Sequence, residues 1–185
     1  MENVVKDYLW LFKFENINNS TLYQTCCEVE KELKKNFPPI EDDKYGCFTS
    51  YHHTKYNLFS FPCVELQKLY TTLSYSLKKG KNIGWHSHWE PEFKTYHGFY
   101  CVNTEGNNIS YTDYKIPGKD MLRIESKNGL CVFGKSEGDA HKSSEWLNNG
   151  YRVTIAFDVI PVRILRRDES FTHKFLHNYM PLYKT

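Results

Sequence analysis

The spacing of apolar residues in the first third of the chain predicts a strand followed by a helix. Residues 7–15, DYLWLFKFE, alternate and are rich in aromatic side chains, which favours an opening strand. Apolar residues then recur at helical spacing, with glutamate and lysine between them: Leu22, Cys26, Val29 and Leu33. This pattern predicts an amphipathic helix that starts at a capping residue among positions 18–20 and ends before Pro38.

A second apolar stripe predicts a second helix over residues 63–79. Its leucines recur every three or four positions, at Leu66, Leu69, Leu73 and Leu77. Gly80 follows directly, where a helix commonly stops. We assign no chemistry to either stripe, because such faces normally pack against a core.

After Gly80 the pattern changes to short strand-like runs separated by glycine, asparagine, aspartate and proline. The runs cover residues 83–89, 97–103, 109–116, 121–125, 130–134 and 151–160. Regular spacing of this kind is typical of an antiparallel sandwich or barrel. We therefore predict a mainly β fold of the α+β class, with two helices packed on one sheet. The organisation expected is a single domain: supporting elements in 1–80, a β core in 81–162 and an extension in 163–185.

Composition excludes several classes of function. The 185 residues have a formal net charge of +2, so no strongly basic face indicates nucleic acid. The six cysteines form no C-x-x-C pair, which argues against a zinc finger and favours reduced thiols. The N-terminus has acidic residues and no long apolar core, and no apolar run approaches the length of a membrane span. We expect a cytoplasmic protein without membrane contact.

The sequence around His88 predicts a metal site. Side chains two positions apart on a strand point to the same face, so His86, His88 and Glu90 can project into one cavity. His141, far downstream, supplies a further imidazole. Two sets are open: His88, Glu90 and His141, or His86, His88 and His141. We favour the first set, because Pro91 marks the strand end and two imidazoles with one carboxylate suit Fe(II).

An arginine that could bind a carboxylate follows His141. On the strand after His141, Arg152 and Thr154 share one face with Ala156, and larger apolar residues occupy the other face. A guanidinium can make two parallel hydrogen bonds to a carboxylate, and a nearby hydroxyl can donate another. The alternative is that Arg152 forms an ion pair with Asp158 or with Glu145.

These motifs, in this order over residues 83–161, resemble the 2-oxoglutarate- and Fe(II)-dependent dioxygenases. The resemblance is to the prolyl-hydroxylase-like branch and its small phage and bacterial relatives. It implies a double-stranded β-helix, also called a jelly-roll or cupin-like core. It further implies that His88, Glu90 and His141 hold iron, with His86 as the alternative register. Arg152 and Thr154 would bind the distal carboxylate of 2-oxoglutarate, with a further hydrogen bond from Tyr100.

The function implied is that of an oxidoreductase. It would use Fe(II), O₂ and 2-oxoglutarate to hydroxylate a substrate, with decarboxylation of 2-oxoglutarate to succinate. The main alternative is a cupin-like metal protein or metalloenzyme that does not use 2-oxoglutarate, in which Arg152 has a structural role. For the substrate we favour a small molecule or a protein side chain over a polynucleotide. The sequence assigns neither the particular substrate nor the oligomeric state.

Overall fold

The computed structural model describes eight segments of the chain: residues 3–6, 8–14, 16–36, 47–49, 73–77, 82–88, 94–136 and 139–159. Within them, one helix and ten strands follow in this order: β1 (Asn3–Lys6), β2 (Leu9–Lys13), α1 (Asn19–Asn36), β3 (Cys47–Thr49), β4 (Leu73–Leu77), β5 (Tyr96–Asn103), β6 (Tyr111–Lys115), β7 (Leu122–Glu125), β8 (Leu130–Lys135), β9 (Ala140–Ser143) and β10 (Arg152–Val159).

Helix α1 forms where the first apolar stripe predicts it. The side-chain oxygen Oδ1 of Asn18 accepts a hydrogen bond from the backbone N–H of Thr21 at 3.1 Å, which caps the first turn. Leu22, Cys26 and Val29 are buried on one side of the helix. In the described part of the chain, no helix combines the length and the apolar character that a bilayer crossing requires.

Two antiparallel sheets pack face to face. The larger has the strand order β1-β2-β8-β5-β10-β4-β3 and the smaller has the order β7-β6-β9. Buried residues from both sheets meet between them: Leu9, Phe99, Cys101 and Val132 from the larger, Tyr114 and Ile124 from the smaller. The inner faces of the sheets therefore enclose one core, as in a β-sandwich.

The outer face of the larger sheet forms a second core with α1. Its members are Leu22, Cys26 and Val29 from the helix, and Tyr100, Val102, Cys131, Val153 and Ile155 from the strands. Residues of β10 therefore alternate as predicted, because Val153 and Ile155 face α1. The prediction of a mainly β fold with helical cover on one sheet is confirmed.

A short segment extends the smaller sheet beyond β9. The backbone N–H of His86 donates to the carbonyl oxygen of His141 at 3.0 Å, and that of His141 donates back to His86 at 2.8 Å. Nearby, the N–H of Ser143 donates to the carbonyl of Ile83 at 3.0 Å. The predicted strand over 83–89 is thus a chain segment held to β9 by an isolated bridge.

The predicted second helix is wrong where it can be compared. Residues Leu73–Leu77 form strand β4, which pairs with β10 and β3. The sequence LSYSL also alternates with a period of two, so a spacing of four between leucines fits either structure. Pairing with β10 decides for the strand. The remainder of that prediction, residues 63–72 and 78–80, lies outside the described residues, as does the extension 163–185.

Truncation of Leu22 tests the packing of α1 on the larger sheet. Leu22 is fully buried, so Leu22→Ala should lower the free energy of unfolding by about 2–5 kcal/mol, because it leaves a cavity. Denaturant unfolding followed by circular dichroism measures the change. Gln24→Ala, on the exposed side of the same helix, should change it by less than about 0.5 kcal/mol.

Candidate active site

Three histidines converge on one side of the inner cavity. The ring centroids of His86 and His141 are 4.3 Å apart, those of His86 and His88 are 5.6 Å apart, and those of His88 and His141 are 5.1 Å apart. One nitrogen from each ring lies within 4.8 Å of the others. The backbone bridge between His86 and His141 explains why residues so distant in sequence meet here. These nitrogens are close enough to bind one metal ion.

Each of the three rings directs its Nδ1 atom at an oxygen. His86 Nδ1 lies 2.9 Å from the carbonyl oxygen of Gly84. His88 Nδ1 lies 3.2 Å from Asp158 Oδ1, and His141 Nδ1 lies 3.7 Å from Asp139 Oδ2. A carbonyl oxygen can only accept, so Nδ1 of His86 must bear the proton and Nε2 keeps its lone pair. This is the tautomer in which a histidine binds a metal through Nε2.

Burial sets the protonation of these rings. It lowers the pKa of His141 well below the ordinary value, and neighbouring His86 and His88 lower it further. Burial also lowers the pKa of His86, although the Gly84 carbonyl partly offsets this. For His88 burial again lowers the pKa, but the contact with the Asp158 carboxylate outweighs it, and the pKa is raised. His86 and His141 are therefore neutral at pH 7 and able to act as ligands.

A buried carboxylate lies behind His141. Asp139 Oδ2 is 3.5 Å from His97 Nε2 and 3.7 Å from His141 Nδ1. All three residues are more than nine-tenths buried, and within the described segments these atoms have no hydrogen-bond partner. The other ring nitrogen of His97, Nδ1, lies 3.1 Å from Ser136 Oγ. Burial lowers the pKa of His97 to about 3, and His141 and His88 contribute to this effect.

Arg152 is a buried cation that has no anionic partner among the described residues. Its side chain donates from Nη2 to Ser126 Oγ at 3.3 Å, and its Nε has no partner. Among the described residues, no carboxylate lies within ion-pairing distance of this guanidinium. The alternative pairing with Asp158 is not formed, because Asp158 lies against His88. Burial lowers the pKa of Arg152, yet a guanidinium stays protonated in proteins. Such a charge is costly unless a ligand neutralises it.

The histidines and Arg152 line the same open cavity. Apolar and small polar residues complete the wall: Ile83, Gly98, Phe99, Thr112, Ser143, Thr154 and Ala156, together with His97. Three histidines with nitrogens in ligand range and a buried guanidinium thus share one cavity.

The structure brings together most of the predicted site residues. His86, His88, His141, Arg152 and Thr154 all line the cavity. Glu90 lies outside the described residues. The role predicted for Tyr100 is wrong, because residues of β5 alternate between faces and Tyr100 packs in the core beneath α1. Its hydroxyl donates to Asn19 Oδ1 at 2.6 Å.

Sequence reasoning missed the polar residues behind the histidines. Asp139 lies directly before β9, two positions ahead of His141. Asp158 lies on the same face of β10 as Arg152, Thr154 and Ala156, and this alternation was the available signal. His97, on β5, is paired with Asp158 in register.

Comparison by sequence identifies no relative. No protein-family model matches the chain, and no curated protein matches it.

Solved structures resemble the chain in fold. One is a prolyl hydroxylase from Trichoplax adhaerens in complex with a peptide fragment of hypoxia inducible factor, with a TM-score of 0.60 and 9% identity over 88% of this chain and 89% of that one. A prolyl-4-hydroxylase from Pseudomonas putida has a TM-score of 0.52 and 7% identity, covering 83% of this chain and 92% of that one.

A third is a non-heme epimerase of nogalamycin biosynthesis that depends on α-ketoglutarate, another name for 2-oxoglutarate. Its TM-score is 0.52 at 8% identity, covering 83% of this chain and 76% of that one. The predicted resemblance is therefore confirmed for the fold: the chain has the jelly-roll architecture of the prolyl hydroxylases and the non-heme 2-oxoglutarate-dependent oxygenases.

Proposed function

We propose that the protein is an Fe(II)- and 2-oxoglutarate-dependent oxygenase that hydroxylates an organic substrate. One observation supports this function above all. Three histidines with nitrogens in ligand range line a single cavity together with a buried guanidinium that has no counter-ion in the described part of the chain. A metal-binding group alone fits many proteins, but a metal-binding group beside an anchor for a carboxylate fits a 2-oxo acid that chelates the metal.

For the metal we propose His86, His88 and His141 as ligands. Imidazole nitrogen suits Fe(II), and the Nδ1 contacts leave Nε2 of each ring as the donor. This is the alternative register of the sequence prediction. Glu90 remains the competing ligand in the register with His88 and His141, because it follows His88 by two positions.

For the co-substrate we propose Arg152 and Thr154 as the anchor. The guanidinium would bind the distal carboxylate of 2-oxoglutarate through its unpaired Nε–H and a second N–H, and the Thr154 hydroxyl would donate one more hydrogen bond. This contact would neutralise the buried charge of Arg152. Ser126, already bonded to Nη2, would hold the guanidinium plane in place.

Bound Fe(II) would supply the redox chemistry with O₂ that converts 2-oxoglutarate to succinate and CO₂ and hydroxylates the substrate. The chain's own residues bind and orient the reactants. Phe99 and Ala156 line the wall between the ligands and the anchor, and their apolar surfaces help to exclude water. The prolyl hydroxylase with a bound peptide supports a protein side chain as one substrate class, and a small molecule is the other.

Anaerobic titration tests this function. Adding Fe(II) and then 2-oxoglutarate should produce a weak visible absorption band from charge transfer between metal and 2-oxo acid. Admission of air should then release succinate, slowly even without the substrate. A protein that binds Fe(II) but gives neither the band nor succinate would favour the cupin-like alternative, and failure to bind Fe(II) would exclude both.

A further inference from the structure

The proposed ligand set differs from a two-histidine, one-carboxylate site in its charge. Three neutral imidazoles contribute no negative charge to a divalent metal. Negative charge nevertheless lies close by, because Asp158 faces His88 and Asp139 faces His141. Both carboxylates contact ring atom Nδ1, which is the atom that does not bind the metal when Nε2 does.

We propose that Asp158 and Asp139 are positioning residues that hold His88 and His141 with Nε2 towards the metal and that supply the negative charge which its ligands lack. This inference rests on the proposed metal site. It assigns a role to two residues that the sequence analysis did not include in the site.

The contact at His88 carries the stronger argument. Its Nδ1 is 3.2 Å from Asp158 Oδ1, and both side chains are only 18% exposed. Asp158 lies on β10, where pairing with His97 of β5 fixes its backbone. Among the described residues Asp158 Oδ1 has no hydrogen-bond partner, so its contact with His88 is electrostatic, and the negative charge favours the ring tautomer that places the N–H at Nδ1. His88 is thus held from a rigid strand, although it lies in an irregular segment.

Asp139, which directly precedes β9, acts on His141 in that strand. Its side chain is 2% exposed, and the 3.7 Å from Oδ2 to His141 Nδ1 is longer than a hydrogen bond, which leaves an electrostatic contact. Among the described residues, the two nitrogens next to this oxygen belong to His97 and His141. A buried carboxylate oxygen without a donor is costly. A metal on Nε2 of His141 would make the Nδ1–H more acidic and so strengthen its attraction to Asp139.

The third histidine, His86, is also held by an oxygen at its Nδ1 atom. His86 has no carboxylate at Nδ1, and the carbonyl oxygen of Gly84 takes that position at 2.9 Å. Each of the three rings therefore has an oxygen next to Nδ1, the ring nitrogen that would not bind the metal. Two of these oxygens are charged and one is neutral, which makes the effect of the charge separable by mutation.

Metal affinity measures the role of the two carboxylates. In full-length protein, Co(II) binding is titrated by its visible absorption, with a chelator in competition. Asp158→Asn and Asp139→Asn should each weaken binding by about 10- to 100-fold, which is typical for the loss of a group that orients a ligand. Asp158→Glu, which keeps the charge, should recover part of the affinity. Asp113→Asn is the matched control for Asp139→Asn, because Asp113 is similarly buried but pairs with Arg123 and does not line the cavity.

A spectroscopic measurement separates positioning from ligation. Pulsed electron paramagnetic resonance of bound Cu(II) detects the remote nitrogen of each coordinated imidazole, and its quadrupole coupling depends on the hydrogen bond at that N–H. Asp158→Asn should shift this coupling for one ring and leave the number of imidazoles unchanged. Loss of only global stability would not move it.

Three results would overturn the inference. Unchanged Co(II) affinity in both asparagine variants would remove the positioning role and leave the proposed function standing. Abolition of binding by either variant, to the extent seen with His88→Ala, would make that aspartate a ligand. Absence of Co(II) binding by the unmodified protein would refute the proposed metal site itself.

Discussion

His141→Ala is expected to weaken Fe(II) binding by roughly 100- to 1000-fold. The estimate follows from four-ligand zinc sites, which bind with about 10–16 kcal/mol, or about 2.5–4 kcal/mol per ligand. His141 belongs to both candidate ligand sets, so the result does not depend on the register. Calorimetric titration with Fe(II) under anaerobic conditions measures the loss, and succinate formation should disappear with it. Lys142→Ala, which changes the next residue along β9, is the control and should bind normally.

The same titration distinguishes the two registers. If His86 is the third ligand, His86→Ala should lose affinity to the extent that His141→Ala does, and Glu90→Gln should bind within a few-fold of the unmodified protein. The opposite pattern would establish Glu90 as the carboxylate of the set. Normal binding by His141→Ala would contradict both sets.

Arg152→Gln is expected to weaken 2-oxoglutarate binding while the metal is retained. Removal of one partner of a buried, hydrogen-bonded charge pair costs about 2–5 kcal/mol, which is roughly a 30-fold to more than 1000-fold loss of affinity. The charge-transfer band at increasing 2-oxoglutarate gives the dissociation constant. Glutamine keeps a hydrogen-bond donor for Ser126, so the change isolates the guanidinium charge.

Arg123→Gln is the matched control for this substitution. Arg123 also pairs with a carboxylate, that of Asp113 at 2.7 Å, but its side chain is half exposed and does not line the cavity. It should leave 2-oxoglutarate affinity unchanged. If Arg152→Gln binds 2-oxoglutarate as tightly as the unmodified protein does, Arg152 is structural and the cupin-like alternative gains support.

The fold was predictable where the spacing of apolar residues fitted either a strand or a helix but not both. Strands β5, β8 and β10 alternate between two buried faces, and α1 has a helical stripe with a cap and a proline stop. The helix prediction failed at Leu73–Leu77, because two leucines four positions apart fit a strand with a period of two as well as a helix. Only the partner strand β10 distinguishes the two structures, and a partner remote in sequence leaves no local signal.

The site was predictable in its residues but not in its register. Spacing singled out His86, His88, His141, Arg152 and Thr154, which line one cavity. The choice between Glu90 and His86 as a ligand stays a prediction, and the place of His86 beside His141 depends on a contact across 55 positions that leaves no local signal. Tyr100 was assigned to the wrong face of its strand, because a shift of one residue reverses the face to which a side chain points.

The paired backbone hydrogen bonds between His86 and His141 affect the rate and the free energy of metal binding. They form during folding and fix two imidazoles side by side before any ion arrives. The chain entropy that is lost when these two distant segments come together is thus lost during folding, and metal binding does not have to supply it. An incoming ion has then only to shed water and accept ligands already in place, so the amides of these two residues should exchange with deuterium more slowly once it is bound.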